Sequence, residues 1–181
     1  MPAGKPLIIR ESVVDDIKPI KELHLNAFDQ SEAKLVSQLA MNLLDSKTAS
    51  AILSLVAEQD NEIIGHVIFS IVNIEGAETV SAYILAPLAV KKSAQRSGIG
   101  TQLINKGLDT LKARGAEVVL VYGDPGYYKH TGFNAGHALK PPYKLTYPEE
   151  SWMAQELVEG ILSKTSGTVQ CLPPLNSPKL W

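Results

Sequence analysis

The segment with the clearest potential for chemistry is Gln95-Arg96-Ser97-Gly98-Ile99-Gly100-Thr101, which lies between an apolar strand pattern and a helical pattern. Consecutive backbone N–H groups at a helix N-terminus point into one concavity, where the helix dipole favours negative charge. Gly98 and Gly100 carry no Cβ atoms to block the close approach of a ligand. Arg96 adds a cation. The segment is therefore predicted to bind a phosphate group.

Two nucleotide-binding motifs resemble this loop in part. A Walker A loop requires Gly-Lys-Ser/Thr, whereas Gly100 is followed directly by Thr101, so the missing lysine excludes that motif. The dinucleotide motif G-x-G-x-x-G is matched at Gly98 and Gly100, and Asp124 stands where a ribose-binding acid is expected, but Leu103 replaces the third glycine. A dinucleotide domain also places this unit first in a series of β-α-β repeats. Dinucleotide binding remains the weaker alternative.

The elements before this loop are predicted from hydrophobic periodicity. An apolar stripe with helical spacing predicts a helix over Ile17–Ala27, with Ser12 or Asp15 as its cap. The same spacing predicts a second helix over Leu35–Leu43, after a break at Asp29–Ser31. The chain is therefore expected to begin with a helix pair.

A hairpin and a β-α-β unit are predicted to follow. The strands Ala51–Glu58 and Ile63–Val72 are rich in Ile, Val and Leu and are separated by the polar turn Gln59-Asp60-Asn61-Glu62. A third strand, Val80–Val90, contains Pro87, which cannot donate to a ladder, so this strand is expected to open there. An amphipathic helix from Ile99 to Leu111, ending before Gly115, and an apolar parallel strand, Val118–Tyr122, complete the unit.

The last third of the chain has weaker signals. Strands are predicted near Leu139–Thr146 and Trp152–Val158. From about residue 165 the chain is predicted to be an irregular, proline-rich tail that runs along the surface. A length of 181 residues favours one domain, 1–181.

Composition excludes several classes of protein. With 17 basic and 19 acidic side chains the formal charge is −2, so no global positive field is present to attract nucleic acid or an anionic membrane. The single cysteine, Cys171, cannot form an internal disulfide and indicates a reducing compartment. Met1–Arg10 lacks the apolar core of a signal peptide, and no apolar run is long enough to span a bilayer. A cytoplasmic protein is expected.

The loop and a second motif together resemble the GNAT acetyltransferase superfamily. Leu88-Ala89-Val90 followed by Gln95-Arg96-Ser97-Gly98-Ile99-Gly100 resembles its acyl-CoA signature Q/R-x-x-G-x-G/A, and Tyr127 to Phe133 resembles its Y-x-x-x-G-F segment. The resemblance covers roughly residues 7 to 146, and two motifs at the expected separation are more specific than either alone. It implies an α+β fold with a mixed, mostly antiparallel sheet, a central splayed parallel strand pair and helices on both faces. The motif details resemble a bacterial branch with mostly unassigned acceptors.

The resemblance also implies a donor, acetyl-CoA, and a set of site residues. The loop N–H groups would hold the pyrophosphate, the strand Leu88–Val90 would pair with the pantetheine arm, and Tyr128 would protonate the leaving thiolate. The cofactor-binding candidates are Leu88, Ala89, Val90, Gln95, Arg96, Ser97, Gly98, Ile99, Gly100, Thr101 and Asp124. Many family members carry a glutamate base in the strand before the loop, but Ser81–Val90 contains no acid. A water chain, Glu75 or Glu78 is left as the route for the proton of the amine.

The predicted activity is transfer of an acetyl group to a primary amine by direct attack in a ternary complex. Phe28, Asp29, Glu32 and Tyr143 lie in breaks between elements and are the candidates for binding the amine, which comes from a small molecule, a peptide or a protein. The histidines His24, His66, His130 and His137 lack metal-ligand spacing, so no metal is predicted and each is expected to be a surface or partly buried group. The oligomeric state is left as monomer or homodimer. A non-catalytic acyl-CoA-binding sensor remains the alternative function.

Overall fold

Four α-helices and eight strands occur within residues 4–45 and 49–181, the part of the chain that this computed structural model describes. The first residues of the Met1–Arg10 segment considered above therefore lie outside it. The helices are α1 (Ile17–Ala27), α2 (Gln30–Leu43), α3 (Ile99–Ala113) and α4 (Pro125–Tyr128). The strands are β1 (Ile8–Glu11), β2 (Ile52–Gln59), β3 (Glu62–Ile74), β4 (Ala82–Val90), β5 (Val118–Tyr122), β6 (Ala138–Lys140), β7 (Trp152–Glu156) and β8 (Ser166–Gln170).

The contacts group the described residues into two compact units. Unit 1 contains the described residues of Met1–Ile68 together with Pro87–Gly107. Unit 2 contains Phe69–Ala86 and Leu108–Trp181. The strands β3 and β4 and the helix α3 contribute residues to both units.

The strands form a mixed, mostly antiparallel sheet in the order β1-β2-β3-β4-β5-β7, with β8 paired to β3 and β6. The pairs β4–β5 and β6–β8 are parallel. The β4–β5 ladder runs from Ala82↔Val118 to Leu85↔Val121 and ends two residues before Pro87. This fold is the predicted α+β class, and the end of the ladder agrees with the expected opening of the strand.

Unit 1 places helices on both faces of its strands. Successive residues of a strand point to opposite faces, and on β3 Gly65 faces α3 whereas His66 contacts His24 of α1. At the tip of the hairpin, Asp60 and Asn61 have φ angles of 53° and 63°, as a two-residue turn requires. The predicted helix pair and hairpin are therefore confirmed.

The start of unit 1 differs in detail from the prediction. Sequence analysis missed β1, which pairs antiparallel with β2. Neither Ser12 nor Asp15 caps α1, because a 3-10 turn, Val14–Asp16, precedes this helix. Within that turn the Asp16 carboxylate accepts a hydrogen bond from the Val13 N–H at 2.7 Å. Helix α2 begins at Gln30, so the predicted break at Asp29–Ser31 is shorter than expected.

An arginine links β1 to the two neighbouring elements of unit 1. Arg10 contacts the carboxylates of Asp16 and Glu58, each at 2.7 Å. The guanidinium holds the pKa of Asp16 below its usual value, mainly through this hydrogen bond. A strand of four residues is thereby attached to both the turn before α1 and to β2.

The last third of the chain, which belongs to unit 2, differs from the prediction. The strand predicted over Leu139–Thr146 is reduced to β6 because Pro141 and Pro142 cannot donate to a ladder. The expected irregular tail from about residue 165 instead contains β8, which lies against β3 and β6. The tail is not a surface segment throughout, since Leu175 and Trp181 are buried. Their apolar side chains explain why a proline-rich sequence is held in place.

Candidate active site

The end of β4 leads into the predicted phosphate loop within unit 1. Pro87 and Ala89 are buried, whereas Leu88 and Val90 are half-buried. The Gln95 side-chain amide donates to the Val90 carbonyl at 3.0 Å, so the loop is attached to the strand from which it emerges. The Val90 carbonyl therefore already accepts a hydrogen bond from within the chain.

The loop itself has the backbone shape expected of an anion cradle. Arg96 and Gly98 have φ angles of 63° and 85°, and a Cβ atom at Gly98 would meet nothing within 4 Å. Gln95, Arg96, Ser97 and Gly98 are exposed, whereas Ile99 and Gly100 are buried at the start of α3. The Ser97 hydroxyl donates to the Ala94 carbonyl. The first N–H groups of a helix have no partner within the helix, so those of α3 are candidates to bind an anion held in this loop.

Helix α3 approaches β3 closely because Gly65 has no side chain. A Cβ atom there would lie 2.8 Å from Leu103 Cδ1, 3.0 Å from Ile99 Cγ2 and 3.3 Å from Ala57 Cβ. The first two residues belong to the opening turns of α3. Gly65 therefore leaves the space that the Leu103 and Ile99 side chains at the helix start occupy. Sequence analysis missed this residue, and a glycine inside an apolar strand pattern was the available signal.

In unit 2, Tyr128 is held at the end of the short helix α4. The ring packs edge-on against Tyr127, with centroids 4.9 Å apart, and against Phe133 at 6.0 Å. Gly123 makes room for it, since a Cβ atom there would lie 2.4 Å from Tyr128 Cε2. Burial raises the pKa of Tyr128, with smaller contributions from Tyr127 and Asp124. The phenol is therefore protonated at neutral pH and can donate a proton.

Asp124 has a local structural role beside this tyrosine. Its carboxylate accepts a hydrogen bond from the Gly126 N–H at 2.9 Å and caps α4, and its backbone carbonyl accepts from the Tyr128 N–H at 3.0 Å. The side chain is exposed. This capping is a sufficient structural reason for an aspartate at this position, with no ligand required. The cofactor-binding role of Asp124 stays a prediction.

Three acceptor candidates lie together at the α1–α2 break of unit 1. Phe28 ends α1 in an extended conformation and stacks on His24, with centroids 6.3 Å apart and an interplanar angle of 10°. Asp29 and Glu32 are exposed at the start of α2. The Asp29 side chain makes no capping hydrogen bond, although its carbonyl accepts from the Ala33 N–H at 2.7 Å. Its carboxylate is therefore available to a ligand.

The fourth acceptor candidate, Tyr143, belongs to unit 2. It lines a cavity of about 920 Å³ formed by residues 135–152. Its ring lies 6.4 Å from that of Trp181, which sequence analysis had placed in a surface tail. The binding of an amine by Tyr143 and by the three unit 1 residues stays a prediction.

Two of the four histidines differ from expectation. His24 and His66 are fully buried and hydrogen-bonded to each other, whereas His137 is half-buried and His130 is exposed. Among the described residues no group of three or more His, Cys, Asp or Glu side chains is arranged to hold a metal.

The Cys171 thiol is half-buried, and burial raises its pKa to about 12, as expected of a packing residue. Within the described ranges no helix has the length and hydropathy needed to cross a membrane.

Comparison with known proteins identifies the family. Residues 17–133 match the acetyltransferase (GNAT) family model. The chain is 35% identical over 167 residues to the uncharacterized N-acetyltransferase YjhQ of Escherichia coli K12, covering 88% of each chain. It is 32% identical over 168 residues to YhbS of the same strain, covering 91% of this chain and 95% of YhbS.

Solved structures agree with this result. The YhbS structure in complex with CoA has a TM-score of 0.85 at 28% identity and covers 98% of this chain and 95% of its own. A GNAT acetyltransferase from Brucella melitensis in complex with acetyl-CoA has a TM-score of 0.69 at 30% identity, covering 93% of this chain and 97% of its own. These matches confirm the resemblance drawn from the two motifs. The chain is an acetyltransferase that belongs to the GNAT family.

Proposed function

We propose that this enzyme transfers the acetyl group of acetyl-CoA to a primary amine by direct attack in a ternary complex. The observation that carries the proposal is the loop before α3, where Arg96 and Gly98 adopt left-handed conformations and the space above Gly98 is open. A pyrophosphate there would meet the first N–H groups of a helix of 15 residues and the exposed guanidinium of Arg96. The CoA and acetyl-CoA found in the two solved relatives support this donor.

The strand before the loop would position the reacting thioester. Residues 86–90 of β4 take no part in the ladder with β5, so backbone groups of Leu88–Val90 are candidates to pair with the pantetheine arm as an added strand would. Backbone N–H groups close to the thioester carbonyl would also stabilise the negative charge that develops on its oxygen. Orientation and this electrostatic contribution require no covalent enzyme intermediate.

Tyr128 is the proposed general acid. As the tetrahedral intermediate collapses, the C–S bond breaks, and the phenol gives its proton to the departing CoA sulfur. The raised pKa keeps the hydroxyl protonated but makes it a weaker acid, so the transfer accompanies the bond cleavage.

The surroundings of Glu78 make it the less suitable of the two glutamates to accept the proton of the amine. Its carboxylate accepts a hydrogen bond from the Gly76 N–H at 2.9 Å, and this bond lowers the pKa of the carboxyl. A carboxylate with a lowered pKa is a weaker base, so we favour Glu75 or a chain of water molecules. The proton lost by the ammonium form of the substrate would pass to solvent.

The test is a screen for free CoA release from acetyl-CoA with pooled amines, amino acids and peptides. Release that depends on one pool, with an acetylated amine identified by mass spectrometry, supports the proposal. Tight acetyl-CoA binding without release in any pool would instead indicate the sensor function that lacks turnover. Acetylation of hydroxyl groups only would contradict the amine as acceptor.

A further inference from the structure

Trp181 lies behind one wall of the unit 2 cavity and contacts several aromatic rings. Its ring stacks on Tyr122 with centroids 5.7 Å apart and an interplanar angle of 14°. It packs edge-on against Trp152 at 5.7 Å and lies tilted against Tyr143 at 6.4 Å. The indole N–H donates to the Leu175 carbonyl at 3.0 Å, and only 5% of the residue is exposed. Trp181 is therefore a fixed support.

The loop between β6 and β7 is attached to this support at further points. The Thr146 hydroxyl donates to the Trp181 carbonyl. The Tyr147 N–H donates to the Tyr122 hydroxyl at 2.9 Å, and Tyr122 is the residue on which Trp181 stacks. Pro141 and Pro142 prevent the loop from pairing as a strand. The hydrogen bonds of Thr146 and Tyr147 hold it in place instead.

Three aromatic residues supported in this way line the cavity of about 920 Å³: Tyr143, Tyr147 and Trp152. Trp181 does not line it. Loss of the Trp181 ring would therefore remove no ligand contact but would remove a ring that packs against Tyr143 and Trp152. Trp152 would keep its hydrogen bond to the Leu139 carbonyl, so the larger change is expected at Tyr143. Aromatic pairs contribute to stability beyond the area that they bury.

The lining indicates which chemistry the cavity would recognise. Lys140, Lys144, Glu149 and Glu150 also line it, and their formal charges cancel. Net charge therefore does not select the ligand. Trp152 is only 5% exposed, so the flat apolar faces are offered by the more exposed rings of Tyr143 and Tyr147. A planar apolar group packs well on such faces, and an attached ammonium is attracted to their π electrons.

We propose that this cavity takes the aromatic stem of the amine acceptor and that Trp181 is the positioning residue of its wall. The inference deepens the proposed function and rests on it. It assigns a substrate class, primary amines with an aromatic stem, and a role for a tail residue that makes no contact with the substrate.

Phenethylamine and ethylamine are the probes, because they differ only in the aromatic stem. Binding of each to the full chain is measured by calorimetry, and the change in tryptophan fluorescence is followed in parallel. Phenethylamine is expected to bind the unchanged protein more tightly than ethylamine. Trp181→Ala should weaken phenethylamine binding about tenfold, the equivalent of one aromatic contact, and leave the Kd of acetyl-CoA unchanged. Trp181→Phe should restore most of the affinity.

Leu175→Ala is the matched control for a general loss of stability. It removes a buried side chain of the same tail but retains the Trp181 ring and the carbonyl that accepts its N–H. If it weakens phenethylamine binding as much as Trp181→Ala, the positioning role is contradicted. Should Trp181→Ala not fold, Trp181→Leu replaces it, since leucine retains apolar volume without an aromatic face.

The remaining outcomes separate this inference from the proposed function. Phenethylamine that binds no better than ethylamine overturns the aromatic cavity, even if other amines are acetylated. Phenethylamine that binds through Trp181 but is never acetylated leaves the cavity in place and contradicts the proposed acceptor class. Acetylation with a KM for phenethylamine that rises in Trp181→Ala, at unchanged kcat, supports both.

Discussion

The Nε2 atom of His24 lies 2.8 Å from the Nδ1 atom of His66, and both side chains are fully buried. The second nitrogen of His66, Nε2, lies 2.9 Å from the Ser54 hydroxyl, which accepts a hydrogen bond from Ser12 at 2.7 Å. Among the described residues the other nitrogen of His24, Nδ1, has no partner. An unpaired lone pair is less costly than an unpaired N–H, so we expect Nε2 of His24 to carry the proton.

This pair predicts that stability falls on mild acidification. Burial lowers the pKa of His24 from 6.5 to about 4, and burial together with the neighbouring His24 lowers the pKa of His66 well below 6.5. Below pH 6.5 the unfolded chain takes up protons that the folded chain does not, so stability decreases as the pH falls towards 4. For His24 alone the loss approaches roughly 3 kcal/mol at about 1.4 kcal/mol per pKa unit. Urea unfolding between pH 7.5 and 4.5 measures it.

His24→Gln and His130→Gln form the matched pair for this measurement. The first removes one buried imidazole and should flatten the pH dependence, although it also lowers stability at neutral pH. The second changes an exposed histidine and should leave the profile as it is. A profile that stays flat in the unchanged protein contradicts the prediction.

Gly98→Ala is predicted to impair donor binding more than it impairs folding. The φ angle of 85° is strained for any side chain, at a cost of about 1 kcal/mol, but no neighbour stands in the way of a Cβ atom. The methyl group would project into the space proposed for the pyrophosphate and should raise the Kd of acetyl-CoA at least about tenfold. Calorimetry measures the Kd.

Gly76→Ala supplies the control, because Gly76 has a φ angle of 82° and an equally open surrounding. Both variants should lose similar free energy of unfolding, and only Gly98→Ala should lose acetyl-CoA. Equal donor affinity in the two variants would remove the loop from the donor site. A bulky residue at Gly100 is expected to have the same effect as one at Gly98.

Tyr128→Phe is predicted to lower kcat by about 10²-fold, the scale of a lost general acid, with little change in the Kd of acetyl-CoA. The phenylalanine retains the ring that packs against Gly123 and Phe133, so the fold should remain intact. Stopped-flow measurement of CoA release with the best amine gives kcat. Tyr127→Phe removes a neighbouring hydroxyl from a residue that is 39% exposed, and it should retain its turnover. The reverse result would assign the acid role to Tyr127.

Asp29→Asn and Glu32→Gln are predicted to raise the KM of a cationic amine about two- to fivefold, because exposed charges contribute well under 1.4 kcal/mol each. Neither change should alter acetyl-CoA binding. Glu22→Gln removes the same charge from an exposed position on α1, outside the α1–α2 break, and serves as the control. If the KM is the same in all three variants, the acceptor lies elsewhere.

Sequence alone predicted the elements with strong periodicity and the loop between them. Helix α1 and strand β5 have the predicted limits, because their apolar residues repeat without interruption. The short strands β1 and β8 were missed, since their few residues mix polar and apolar side chains without the continuous apolar run of β5 and depend on partners distant in the chain.

The motifs did not predict the supporting residues of the candidate site. Gly65 and Gly123 are needed because a Cβ atom at either position would collide with a neighbouring side chain. Those neighbours are brought there by tertiary packing. Trp181 seemed to belong to a proline-rich surface tail, but its contacts lie with Tyr122, Tyr143 and Trp152, far from it in sequence. Such relationships follow from the fold and not from local spacing.

The close approach at Gly65 also limits how the donor loop can be transferred between proteins. The loop and the start of α3 would keep their shape on a new host only where the facing strand offers an equally empty position for Leu103 and Ile99. An alanine at that position would place a methyl group 2.8 Å from Leu103 Cδ1 and 3.0 Å from Ile99 Cγ2, so the side chains at the start of the helix would have to shift. The glycine-rich loop is therefore not a self-contained unit, because the helix that follows it packs on a strand that precedes it in the chain.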